Sequence, residues 1–119
     1  MFEKNVKLAL LLDYYAEALD ERTERILRAY YEDDLSLSEI AQGEGISRQG
    51  IRHTLKKGEE TLLFLEERLG LFRRGREIAG ATGRLRAVSE RLLASEDPAL
   101  RALGTEVDAA VQAIQGKTV

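Results

Sequence analysis

Leu8, Leu11, Leu12, Tyr15 and Leu19 recur at three- and four-residue intervals, and a second set at Thr23, Ile26, Leu27 and Tyr30 repeats the pattern with the polar "DERTE" at its start. Intervals near the helical period place one side of a helix in a core, so the spacing predicts two packed helices. The acidic "EDD" at Glu32 to Asp34 breaks the periodicity, and Ser36 with Glu39 three residues on has the spacing of a capping box. The short helix that begins there is expected to end at about Gln42. Gly43 and Gly45 supply the backbone freedom of a tight turn, and the Ser47 hydroxyl can cap the helix that follows. That helix is long, because Ile51, Leu55, Gly58, Leu62, Leu65 and Leu69 alternate spacings of four and three up to a stop at Gly70. Leu71, Ile78, Leu85 and Leu92 then recur every seven residues, with Ala81 and Val88 between them, and predict another long helix, interrupted early by glycines and ending near Ser95. Asp97 can cap, and Pro98 can occupy the first turn of, a last helix carrying Leu100, Leu103, Val107, Ala110 and Ile114.

The expected fold class is therefore all-α, with a domain at residues 1–70 and a helical extension at 71–119 for packing or dimerisation. Composition agrees with a helical, water-soluble chain: 44% of 119 residues are hydrophobic, 33% are charged, and Pro98 is the single proline. No run approaches the roughly 20 apolar residues of a membrane helix. The N-terminal "MFEKNVKLALLLDYY" has only a brief apolar run flanked by Glu3 and Asp13, which predicts a cytoplasmic protein without a leader. The absence of cysteine agrees with a reducing compartment.

Net charge is −3, which argues against a nucleic-acid binder until the charge is divided along the chain. Residues 1–45 carry 5 basic and 11 acidic side chains, residues 46–86 carry 10 and 5, and residues 87–119 carry 3 and 5. The basic middle can steer a polyanion onto one surface.

That middle contains "SEIAQGEGISRQGIRHTLKKG". A helix-turn-helix needs a small residue where its helices touch, a turn, and apolar anchors beneath an exposed second helix. Ala41 is the small contact, Gly45 the turn, and Ile40, Ile46, Ile51 and Leu55 the anchors. Arg48, Gln49 and Arg52 are residue types that read base edges, while Ser47, Lys56 and Lys57 suit phosphates. His53 is the sole histidine; with no ligand-spaced partner it reads as a surface or phosphate-facing residue rather than a metal or catalytic one. Helix-turn-helix corners also occur in proteins that bind no nucleic acid. Glu44, just before the turn glycine, stands where an apolar residue often packs, so it either weakens the corner or points to water.

"LSLSEIAQGEGISRQGIRHTLKKGEETLLFLEERLGL", preceded by "LLLDYYAEALDERTERILRAYYEDD", resembles the YlxM family, small bacterial proteins similar to the fourth region of sigma factors. The likeness covers roughly Val6 to Phe72; beyond Phe72 the tail is longer and richer in alanine than the family's. The resemblance implies a dimeric helix-turn-helix protein in which Ser47, Arg48, Gln49, Arg52 and Lys56 face DNA. It also implies a regulatory role linked to the signal recognition particle pathway, because genes of the family commonly neighbour those of its GTPases.

Other features have plainer readings. Glu32, Asp33 and Asp34 lack the alternating oxygens of a Ca²⁺ loop and read as a solvated loop. Tyr14–Tyr15 and Tyr30–Tyr31 each place one ring on the apolar face, where core packing outweighs base stacking. No nucleophile elbow, phosphate loop or dinucleotide fingerprint is present, so neither an enzyme nor a cofactor is expected. Arg73, Arg74 and Arg76 carry an alternative, a protein- or RNA-interaction module, set against the plain reading of a solvated helix end. A membrane-surface helix is disfavoured there by the interrupting glycines.

Overall fold

A computed structural model describes residues 5–117; Met1 to Lys4, which include Glu3 of the N-terminal reading, lie outside the described residues. The described residues form α1 (Val6–Tyr15), α2 (Glu21–Tyr31), α3 (Leu37–Glu44), α4 (Arg48–Leu69), α5 (Leu71–Leu93) and α6 (Pro98–Lys117), with a 3₁₀ turn at Ala16–Ala18 and no strand among them. The fold class is thus all-α. The chain divides into two compact units, Met1–Phe72 and Arg73–Val119.

In the first unit, side chains at helical spacing converge on one core: Leu11 and Leu12 of α1, Ile26 and Leu27 of α2, and Ile51 and Leu62 of α4 are fully buried. Ile40 and Ala41 bring α3 to the same core. Leu19 does not extend α1 as its spacing suggested. The chain turns extended at Leu19, where φ is −96° and ψ 150°, so that Asp20 can accept from the Thr23 N–H at 2.8 Å and start α2. Leu19 still packs against the core from this bend.

Gly58 is where α4 crosses α2. An added Cβ there would lie 2.7 Å from Leu27 Cδ1 and 3.0 Å from Thr23 Cγ2, so the helices approach only because the side chain is missing. At the other end of α4, Gly70 adopts a left-handed φ of 63° and ends the helix. The first N–H groups of α5 are satisfied from a distance in sequence: Leu71 N–H donates to the Tyr15 hydroxyl at 3.0 Å and Phe72 N–H to Glu66 Oε1 at 3.0 Å. The Tyr15 hydroxyl in turn donates to Glu66 Oε1 at 2.6 Å. Burial first, and then this hydrogen bond to a carboxylate, raises the Tyr15 pKa.

The second unit is a helical hairpin closed by residues 94–97. Asp97 accepts from Ala99 N–H at 2.9 Å and Pro98 opens α6, as the sequence predicts. The early glycines do not interrupt α5, which is continuous. Its buried side chains are Thr82 and Ser89, whereas Leu85, from the sevenfold leucine row, is 41% exposed. The small pair wins the inner position because the helices meet closely. Ser89 Oγ donates to the Gly104 carbonyl at 2.9 Å, and a Cβ on Gly104 would lie 2.9 Å from the Leu93 backbone nitrogen.

Candidate nucleic-acid interface

α3 starts with a reciprocal capping box: Ser36 N–H donates to Glu39 Oε1 at 2.9 Å, and Glu39 N–H donates to Ser36 Oγ at 3.1 Å. The helix runs two residues past the Gln42 limit expected from sequence and ends at Glu44. Gly45, at φ 71°, then reverses the chain, with the Gly45 and Ile46 N–H groups donating to the Ala41 carbonyl at 2.9 and 3.2 Å. Ser47 caps α4 by accepting from Gly50 N–H at 3.0 Å. Three residues, Gly45 to Ser47, thus separate the two helices of the motif.

α4 is 22 residues long and two-sided. Ile51, Leu55, Gly58 and Leu62 are buried, while Arg48, Gln49, Arg52, His53, Lys56 and Lys57 are exposed. At about 100° per residue these six positions spread over roughly half of the helix circumference; five of them turn away from the buried line, and Arg48, seven residues before Leu55, is exposed at its edge as the first residue of the helix. Ser47 is also exposed, at the tip of the same helix. The structure therefore brings all seven residues onto one solvent-facing surface. None of the side chains of Arg48, Gln49, Arg52, His53, Lys56 or Lys57 makes a hydrogen bond or ion pair to another described residue.

The cations of α2 contrast with them. Arg28 is held by Glu24 and Glu32, each four residues away on its own helix. Arg25 reaches the end of α3, where its Nε and Nη2 donate to Glu44 at 2.7 and 2.8 Å; Arg22 stands 3.8 Å from the same carboxylate. This corrects both sequence readings of Glu44. Its side chain is only 14% exposed, and it neither loosens the corner nor points freely to water, because two forked hydrogen bonds from Arg25 replace apolar packing. The Arg25 hydrogen bond, assisted by the nearby charges of Arg25 and Arg22, holds the Glu44 carboxyl below its usual pKa.

Sequence reasoning missed this clamp because its partners are 19 residues apart. The available signal was an acidic residue at a packing position, which calls for a cation on the facing helix. Among the described residues no group of three or more His, Asp or Glu side chains is gathered that could hold a metal ion. No helix among them is long and apolar enough to cross a membrane.

A capped short helix, a left-handed glycine turn and a longer second helix anchored on its inner line make this a helix-turn-helix protein. A family model described as "Putative helix-turn-helix protein, YlxM / p13 like" matches residues 2–86, and the chain belongs to that family, UPF0122. Among its relatives, the UPF0122 protein of Desulforamulus reducens is 48% identical over 65 residues, 55% of this chain and 56% of that one. The counterpart in Symbiobacterium thermophilum is 44% identical over 64 residues, covering 54% of this chain and 60% of its own. One from Thermoanaerobacter sp. is 45% identical over 71 residues, covering 60% and 61%. The chain thus spans less than two thirds of the length of these relatives.

Proposed function

We propose that this is a DNA-binding regulator, not an enzyme, that works in the cytoplasm as a homodimer and inserts the start of α4 into the major groove. The observation that carries the reading is the set of exposed, internally unengaged side chains on the outward half of α4. Arginines already held by carboxylates, as on α2, would have to give up those bonds to meet a phosphate or a base. Arg48 and Arg52 have none to give up. In this reading Arg48, Gln49 and Arg52 meet base edges, and Ser47, His53, Lys56 and Lys57 lie along the phosphates. The link to the signal recognition particle pathway is supported by the family resemblance.

Selection of the protein against a random duplex library at about physiological salt tests it. The expected outcome is a recovered motif that disappears with the Arg48→Ala/Arg52→Ala pair. Absence of enrichment from a folded protein would overturn the reading. A second reading, an RNA- or protein-interaction module, is favoured by α5, whose sequence has six arginines against two glutamates. Retention of a protein partner after nuclease treatment would support it.

A further inference from the structure

The buried residues of α4, Ile51, Leu55, Gly58 and Leu62, share a mean direction, and the crest of the helix is the line diametrically opposite. At about 100° per residue, His53 and Glu60 lie within about 10° of that crest and Gln49 within about 30°. Lys56 and Lys57 stand about 50° to either side of it, and Arg52 about 90° away. All six side chains are exposed. By residue type His53 groups with the lysines; by angle it groups with Gln49.

The angle decides what each can reach. A major groove carries base edges on its floor and phosphates along its two walls. A helix seated with its crest toward the floor turns Lys56 to one wall and Lys57 to the other. Arg52 can reach the floor from the flank because its side chain is long, whereas the short imidazole reaches it only from the crest. His53 makes no hydrogen bond or ion pair to another described residue, so neither ring nitrogen is committed within the fold. Glu60 lies on the same line as His53, about 10 Å further along the helix, where its carboxylate repels phosphates. The part of the crest that suits a polyanionic groove therefore ends before Glu60 and consists of Gln49 and His53.

We infer that His53 is a specificity-determining residue whose ring N–H donates to the N7 of a purine on the groove floor. Among base edges in the major groove, N7 belongs to adenine and guanine alone. Gln49 and His53 are four residues apart, which brings their Cβ atoms to about 6 Å. At about 3.4 Å per base pair, the purine met by His53 lies one or two pairs from the base met by Gln49. The inference rests on the DNA reading above and deepens it, moving His53 from the phosphate walls to the floor.

Duplex selection with the parent, His53→Ala, His53→Gln and Lys57→Ala tests it, each variant first checked for the parent's helical circular dichroism. The parent motif should contain a purine position at which His53→Ala loses a preference of at least about fivefold. The salt dependence of that variant's affinity should match the parent's. His53→Gln should shift the same position toward adenine, which a glutamine pairs bidentately. Lys57→Ala should do the reverse, weakening all duplexes alike and lowering the salt slope by about one with the motif intact. A parental motif in both His53 variants would overturn the inference and leave DNA binding standing. A folded parent that selects no motif would overturn both, so the two failures are distinguishable.

Discussion

The two units use similar helices for opposite ends. In Met1–Phe72 the seam between helices is filled by large aliphatic residues, and Leu11, Leu12, Ile26, Leu27, Ile51 and Leu62 are fully buried, although Val6, Leu63 and Leu69 stay exposed. In Arg73–Val119 the inner line is Thr82, Ser89, Gly104 and Val111, and several leucines face outward. A heptad of leucines is thus not by itself a core. Where a hydroxyl or a glycine permits closer helix contact, the small residue takes the seam and the leucine is displaced to the flank. The first unit packs a cationic helix on a core of large aliphatic side chains; the second closes its hairpin on small ones.

The largest effect that would break this comparison is at Leu27. Leu27→Ala should cost about 2 to 5 kcal/mol, read as a lower denaturant midpoint at unchanged slope. Leu103→Ala in the second unit, where the side chain is half exposed, should change monomer stability by no more than about 0.5 kcal/mol. Equal costs would erase the distinction. Gly104→Ala comes next, since its new Cβ meets the Leu93 backbone, which cannot rotate away. A loss of about 1 to 3 kcal/mol is expected, seen as earlier loss of helical circular dichroism on heating.

Arg52→Ala should leave stability unchanged to within about 0.5 kcal/mol and cost about 1 to 3 kcal/mol of binding to the selected duplex. Binding as tight and as selective as the parent's would remove Arg52 from the readers. Tyr31 sharpens the account of the first unit: its hydroxyl donates to Glu59, and burial first, then that bond, raise its pKa. The resulting stability is fully present below the unfolded tyrosine value of about 10 and is lost as pH rises beyond it. Tyr31→Phe should cost about 1 kcal/mol at neutral pH and flatten that alkaline limb in pH-dependent unfolding.

The smallest effect is at Glu44. Because its carboxyl is held below the usual range, its contribution is complete above the unfolded value of about 4.3 and is lost as pH falls through the lower folded one. Glu44→Gln should flatten this part of the acid limb while leaving the helices intact, as monitored by circular dichroism.

What the sequence by itself determined is what short-range geometry determines. Helical periods placed every α-helix, Ser36 and Glu39 announced a capping box, Gly45 marked a left-handed turn, and Gln49, Arg52, His53, Lys56 and Lys57 fell off the line of Ile51 and Leu55. These depend on neighbours within about one turn of helix, and periodicity reports such neighbours directly. Only the tertiary structure decided the rest. The forked Arg25–Glu44 bond joins residues 19 apart, and the Tyr15–Glu66 pair that receives the start of α5 joins residues 51 apart. The choice of Thr82 and Ser89 over Leu85 for the inner line of α5 depends on how closely α6 approaches. That approach is set at Gly104, on another helix, and no pattern within α5 encodes it.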